Sequence, residues 1–192
     1  MEFQEGHLYH IYNQGNNRQK IFFERDNYLF FLRKFQTYIL PYADILAYCL
    51  MPNHFHLMVR VQRIIRRNAT QSRVPSSRIQ KNPDSINKSI GIMLASYTRA
   101  INKRHGFTGS LFRSKTKAIC LSCPDYMSIA NHPDYLERQY PQTVFDYIHQ
   151  NPVKAGLVKT AVDWEFSSAH NYAQKKNSEL ISVEITESLL EI

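Results

Sequence analysis

Two apolar runs, residues 45–50 and 55–61, flank Met51-Pro52-Asn53 near the middle of the chain, and this arrangement constrains the fold more than any other feature. A proline and an asparagine between runs of aliphatic and aromatic residues predict a β-hairpin. The second run opens with His54-Phe55-His56. Side chains alternate faces along a strand, so His54 and His56 point one way while Phe55, Leu57, Val59 and Val61 point the other. Two adjacent imidazoles suit one metal ion; a pair of solvated histidines is the plainer alternative.

Other segments fall into place around the hairpin. Residues 7–13 predict a strand, followed by the turn Gln14-Gly15-Asn16-Asn17. Asp26 or Asn27 can cap a helix to Ile39, with Tyr28, Leu29, Phe31, Leu32, Phe35 and Ile39 as its apolar stripe and Pro41 closing it. A long helix over 85–104 carries Ile86, Ile90, Met93, Leu94, Tyr97 and Ile101 on one face and ends at Gly106. Residues 115–121 read as a strand and 122–141 as irregular, and 142–150 read as a helix stopped by Pro152. Strand, helix, strand, strand, helix, strand is the split βαβ order of the α+β, ferredoxin-like fold, with an antiparallel sheet and two helices on one of its faces. The opposite face is left for a site. A chain of 192 residues supports one domain, placed at 1–176, with a basic loop at 62–84 inside it and an acidic tail at 177–192.

Charge is unevenly placed. Fourteen of the 24 Lys and Arg, and one acidic residue, Asp84, lie between positions 45 and 124, giving that stretch a net +13 and the rest of the chain −5. Such a field attracts a polyanion, and nucleic acid leads over an anionic membrane because residues 60–81 lack an amphipathic period. Arg60, Arg63, Arg66 and Arg67, with Lys103 and Arg104 at the basic helix end, are the expected phosphate contacts. The chain shows no signal-peptide layout and no apolar run long enough for a membrane helix, so a cytoplasmic protein is expected. Three cysteines argue against a disulfide scaffold. The single C-x-x-C pair, Cys120 and Cys123, is read as packing because no second pair follows it.

A tyrosine can supply the nucleophile that phosphoryl transfer needs beside a metal. Tyr147 and Asn151, four apart, share a helix face with Val144 and Ile148 beside them, and the Asn151 carboxamide oxygen can be a third metal ligand. Tyr135 and Gln139 have the same spacing, and spacing alone does not separate the two pairs.

Four runs bear on that choice: Asn13-Gln14-Gly15-Asn16-Asn17-Arg18-Gln19, Ala47 to Leu57 around Met51-Pro52-Asn53-His54-Phe55-His56, Gly109-Ser110-Leu111-Phe112, and Tyr147-Ile148-His149-Gln150-Asn151-Pro152-Val153-Lys154-Ala155-Gly156-Leu157-Val158. With Asp163-Trp164-Glu165-Phe166-Ser167-Ser168 after them, they resemble the single-tyrosine HUH transposases, and within these the REP-associated tyrosine transposases, over about residues 7–170. The stretch 122–141 is longer than in a typical member, and the tail past Lys176 has no counterpart.

The resemblance implies that His54, His56 and Asn151 are metal ligands for magnesium or manganese, and that Tyr147, rather than Tyr135, is the nucleophile, on a helix near the free face of the sheet. It implies cleavage and joining of single-stranded DNA carrying a hairpin, through a 5′-phosphotyrosine, by a monomer or homodimer. A non-catalytic hairpin-binding module for DNA or RNA is the competing expectation, although the chain carries no RNP1-like aromatic signature.

Overall fold

The computed structural model describes residues 2–62, 85–123 and 139–190. Four strands, β1 (Leu8–Gln14), β2 (Ala43–Met51), β3 (His54–Val61) and β4 (Lys117–Cys120), form one sheet in the order β2-β3-β1-β4, antiparallel at every pairing. Helix α1 (Arg25–Tyr38) links β1 to β2, and α2 (Ile86–His105) lies between β3 and β4, which completes the split βαβ order expected from the sequence. Met51 pairs with His54, so Pro52-Asn53 is a two-residue hairpin loop.

Both helices pack on one face. Phe31 and Phe35 of α1 and Ile90, Met93, Tyr97 and Ile101 of α2 are buried against Ile11, Phe55, Leu57 and Val59. Each large apolar side chain withdrawn from water contributes about 1.5–3 kcal/mol, and these supply the main cohesion. Ser85 caps α2 by accepting from the Lys88 N–H, and Gly106, at φ 67°, closes it where a residue with a Cβ would be strained. The cap of α1 differs from expectation. Glu24 takes the N-cap, and Asn27 sits inside the helix as the reciprocal partner of a capping box, which two sidechain acceptors three residues apart can form.

The other face of the sheet receives α3 (Gln139–Lys154), whose Val144, Phe145 and Ile148 are buried against Leu46, Ala47, Cys49 and Met58. This helix runs past Pro152 instead of stopping before it. The proline lies in the final turn, where its missing N–H deprives only one carbonyl of a partner, and Gly156 at φ 67° ends the run beyond it. Residues 164–168 run along the outer edge of β2, where Leu50 N–H donates to the Phe166 carbonyl (2.9 Å) and Trp164 Nε1–H donates to the Leu50 carbonyl (2.9 Å). That covers an edge otherwise open to pairing with another chain. Two short helices, α4 (Ala169–Ala173) and α5 (Val183–Glu187), follow, and Ile181, Val183 and Leu190 are buried, so residues 178–190 fold back onto the sheet.

Candidate active site

The strand registers bring Tyr12 opposite His56 and Gln14 opposite His54, with Lys117 opposite Tyr12 on the far side. Directly paired residues share a face. The result is a cavity of about 270 Å³ lined by Tyr12, Gln14, His54, His56, Arg113, Lys115, Lys117 and Tyr147 among others. The face left free by α1 and α2 is therefore polar at this end and apolar where α3 docks.

His54 and His56 stand side by side, ring centroids 5.0 Å apart and nearly perpendicular. Nδ1 of His54 meets Asn53 Oδ1 at 2.6 Å, which fixes Nδ1–H as the donor and leaves the lone pair on Nε2. His56 is 5% exposed, and its Nδ1 meets Nε2 of His10 at 2.9 Å. Among the described residues the Nε2 of His56 has no hydrogen-bond partner. A buried nitrogen left unpaired costs about 1–3 kcal/mol, so this atom is placed to take a ligand.

Burial keeps these rings neutral. It lowers His10 to about 4, and lowers His56 to about 2 with help from the neighbouring His10 and His54. His54 is lowered by burial, opposed by its hydrogen-bond contact with the Asn151 side chain. Neutral imidazoles carry the lone pairs that metal ligation needs.

Tyr147 and Asn151 are brought to this place by α3. The Tyr147 ring is 40% exposed, lies edge-on 5.3 Å from the His56 ring, and has Lys154 Nζ 5.5 Å from its centroid. Asn151 Nδ2–H donates to the Tyr147 carbonyl at 2.7 Å, while the same side chain reaches His54. All four expected site residues thus converge within one chain. Tyr135 lies outside the described residues.

The expected phosphate contacts are scattered. Arg60 is six residues beyond His54 on β3, about 20 Å away at strand rise, and donates through Nε and Nη2 to Asp44 at 3.0 and 2.6 Å. Arg104 pairs with Glu24 at 2.7 Å, and Lys103 is exposed at the end of α2. Arg63, Arg66 and Arg67 lie outside the described residues. The cations that line the cavity are instead Arg113, Lys115 and Lys117, which spacing alone did not single out. His10 was also missed; its signal was the alternation His10, Tyr12, Gln14 along β1, which places all three on one face.

No protein-family model and no curated protein matches this chain. Among solved structures it is similar to a REP-associated tyrosine transposase bound to a REP hairpin, at TM-score 0.56 and 18% identity, over 95% of this chain and 88% of that one. The two chains share a fold. No helix among the described residues is long and apolar enough to cross a membrane.

A fourth histidine behaves like the site histidines. His149, on α3, is 6% exposed, faces Ser168 Oγ at 2.8 Å, and is lowered to about 4 by burial and then by His170. Its protonated form is favoured more in the unfolded than the folded chain, so unfolding takes up protons and stability falls as pH drops from about 6.5 toward 4. Between pH 7 and 5 each such buried histidine is expected to remove about 2 kcal/mol. Urea unfolding in metal-free buffer checks this, and a denaturation midpoint unchanged between those pH values contradicts it.

Proposed function

We propose that this chain cleaves and joins single-stranded DNA carrying a hairpin, as a metal-dependent transposase-type enzyme. The observation that carries the reading is the partly exposed Tyr147 ring of α3 set 5.3 Å from the His56 ring, beside His54 in the same chain, with the Asn151 side chain between Tyr147 and His54. A structural tyrosine would turn its ring into the α3 interface; this one borders the cavity.

In this reading the strand lies in the cavity with its phosphates against Arg113, Lys115 and Lys117. Tyr147 Oη attacks the scissile phosphorus, the bond to the 3′-oxygen breaks, and that oxygen takes a proton. The products are a 5′-phosphotyrosine and a free 3′-hydroxyl. A second 3′-hydroxyl then attacks the same phosphorus and releases Tyr147 with its proton restored, so phosphodiester energy is conserved through both steps. His54, His56 and Asn151 would hold a divalent ion, magnesium or manganese, through two nitrogens and one amide oxygen, which leaves open positions. When bound it supplies polarisation of a phosphate oxygen. His10 acts behind them: by accepting the Nδ1–H of His56 it leaves the His56 Nε2 lone pair free, the carboxylate-like supporting role seen behind ligating histidines. Lys154 and the His56 edge hold the Tyr147 ring in line.

The test is direct. Protein incubated with a labelled single-stranded hairpin oligonucleotide from its own genomic flanks and manganese should give a covalent adduct that survives denaturing electrophoresis. Hairpin binding with no adduct under any divalent metal favours the non-catalytic module. Affinity should fall steeply with salt, and Arg113→Ala, Lys115→Ala or Lys117→Ala should each flatten the log–log slope by about 0.7. Unchanged slopes in all three would remove the cavity from the DNA path.

A further inference from the structure

At the opposite end of β1 from the histidine pair lies a second cluster with different chemistry. His7 precedes β1, Cys120 ends β4, and Cys123 follows it; a ring nitrogen of His7 and the two sulfurs lie within 4.8 Å of one another, all half-buried. The two sulfurs are joined as a disulfide, whereas the lone C-x-x-C spacing predicts packing.

The backbone beneath the cluster is held without the sulfur–sulfur bond. Leu121 N–H donates to the Leu8 carbonyl at 2.7 Å, and Leu8 N–H donates to Ser122 Oγ at 2.9 Å. Opening the disulfide therefore leaves Cys120, Cys123 and His7 in place. Their surroundings suit ligands. His7 Nδ1 lies 3.2 Å from both the Ser122 carbonyl and the Ser122 hydroxyl, so the ring is anchored through Nδ1 and Nε2 is the nitrogen turned to a ligand. Tyr9 Oη accepts the Gln4 N–H at 2.8 Å and lies 3.9 Å from Cys123 Sγ, which places a polar group beside the sulfur.

We infer that the reduced Cys120–Cys123 pair and His7 form a binding site for one thiophilic divalent cation, zinc, which the disulfide closes. Two thiolates and an imidazole are soft and borderline ligands that select zinc over magnesium, unlike the nitrogen and oxygen donors around His54. Three protein ligands leave a fourth position for water. Reduction by a phosphine breaks the S–S bond, gives two thiols and turns the phosphine, with one water, into its oxide; zinc then displaces the two thiol protons. Because β4 has only four residues, this cation would tie the strand that carries Lys117 to His7 at the start of β1, whereas the disulfide closes only the turn from Cys120 to Cys123.

Cobalt(II) is the probe, since thiolate–cobalt charge transfer absorbs in the near ultraviolet and nitrogen or oxygen ligands give no such band. Phosphine-reduced protein should develop this band to saturation at one cobalt per chain, lose it on adding zinc, and show none when oxidised. Cys120→Ser and Cys123→Ser should abolish it, His7→Ala should weaken binding by about tenfold or more, and His54→Ala with His56→Ala should leave it intact. Absence of the band in reduced wild type overturns the site, which needs no variant to fold. A His7→Ala titration superimposable on wild type, or an equal band in oxidised protein, overturns it too. None of these readouts involves DNA, so they stand or fall apart from the transposase reading.

Discussion

Tyr147→Phe is expected to abolish both strand cleavage and the covalent adduct while hairpin affinity and thermal stability stay at wild-type values. The ring keeps its edge contact with His56 and its place under Lys154, and only the hydroxyl is deleted. The apolar anchors of α3, Val144, Phe145 and Ile148, are untouched. Loss of a nucleophile removes the whole covalent route, so the drop should be on the order of 10⁴-fold or more. Gel analysis of labelled hairpin with manganese reads cleavage and adduct together. Tyr135→Phe serves as the control and should retain both. An adduct in Tyr147→Phe that disappears in Tyr135→Phe would move the nucleophile to Tyr135.

The second large effect belongs to the histidines. His54→Ala combined with His56→Ala should eliminate metal-dependent cleavage, and chelation of wild type should do the same until manganese is restored. His54 is the cleaner single change: it is half-buried, and its loss leaves Asn53 and Asn151 with access to water. His56→Ala additionally strands His10 in the interior, so it should cost about 1–3 kcal/mol of stability as well as activity. Calorimetric titration with manganese separates the two effects: His54→Ala should show lost binding at an unchanged melting temperature. Manganese affinity equal to wild type in the double variant would remove these residues from the metal site.

Periodicity made much of this molecule legible. The hairpin, the buried stripes of α1 and α2, and the shared face of His54 and His56 all follow from repeats of 2 and 3.6 residues, which local sequence displays. The i, i+4 spacing put Tyr147 and Asn151 on one face, but the same spacing in Tyr135 and Gln139 needed a family resemblance to choose between them. What stayed hidden depends on pairing between distant strands. His10 meets His56, and Lys117 reaches the cavity, only because β1 pairs with β3 and β4 in one particular register. Arg60 stood out as a free cation in a basic stretch, yet Asp44, its register partner across the hairpin, takes its donors. Pro152 marked a stop that a final helical turn tolerates.

Gly15 sits where three distant stretches meet. Its N–H donates to the Asn53 carbonyl at 2.8 Å, it bridges to Phe112, and the next residue, Asn16, donates to the Leu111 carbonyl at 3.0 Å. A side chain there would collide with the Gln19 carbonyl. Asn53, held by this junction, in turn aims His54. The chain must therefore be synthesised past residue 113 before that histidine is set, and past residue 151 before a tyrosine stands opposite it. Contacts of such long sequence separation form late in folding. A nascent or truncated chain consequently carries the histidines without Tyr147 beside them, and the full arrangement comes into being only when the polypeptide through Asn151 has emerged and closed on the sheet.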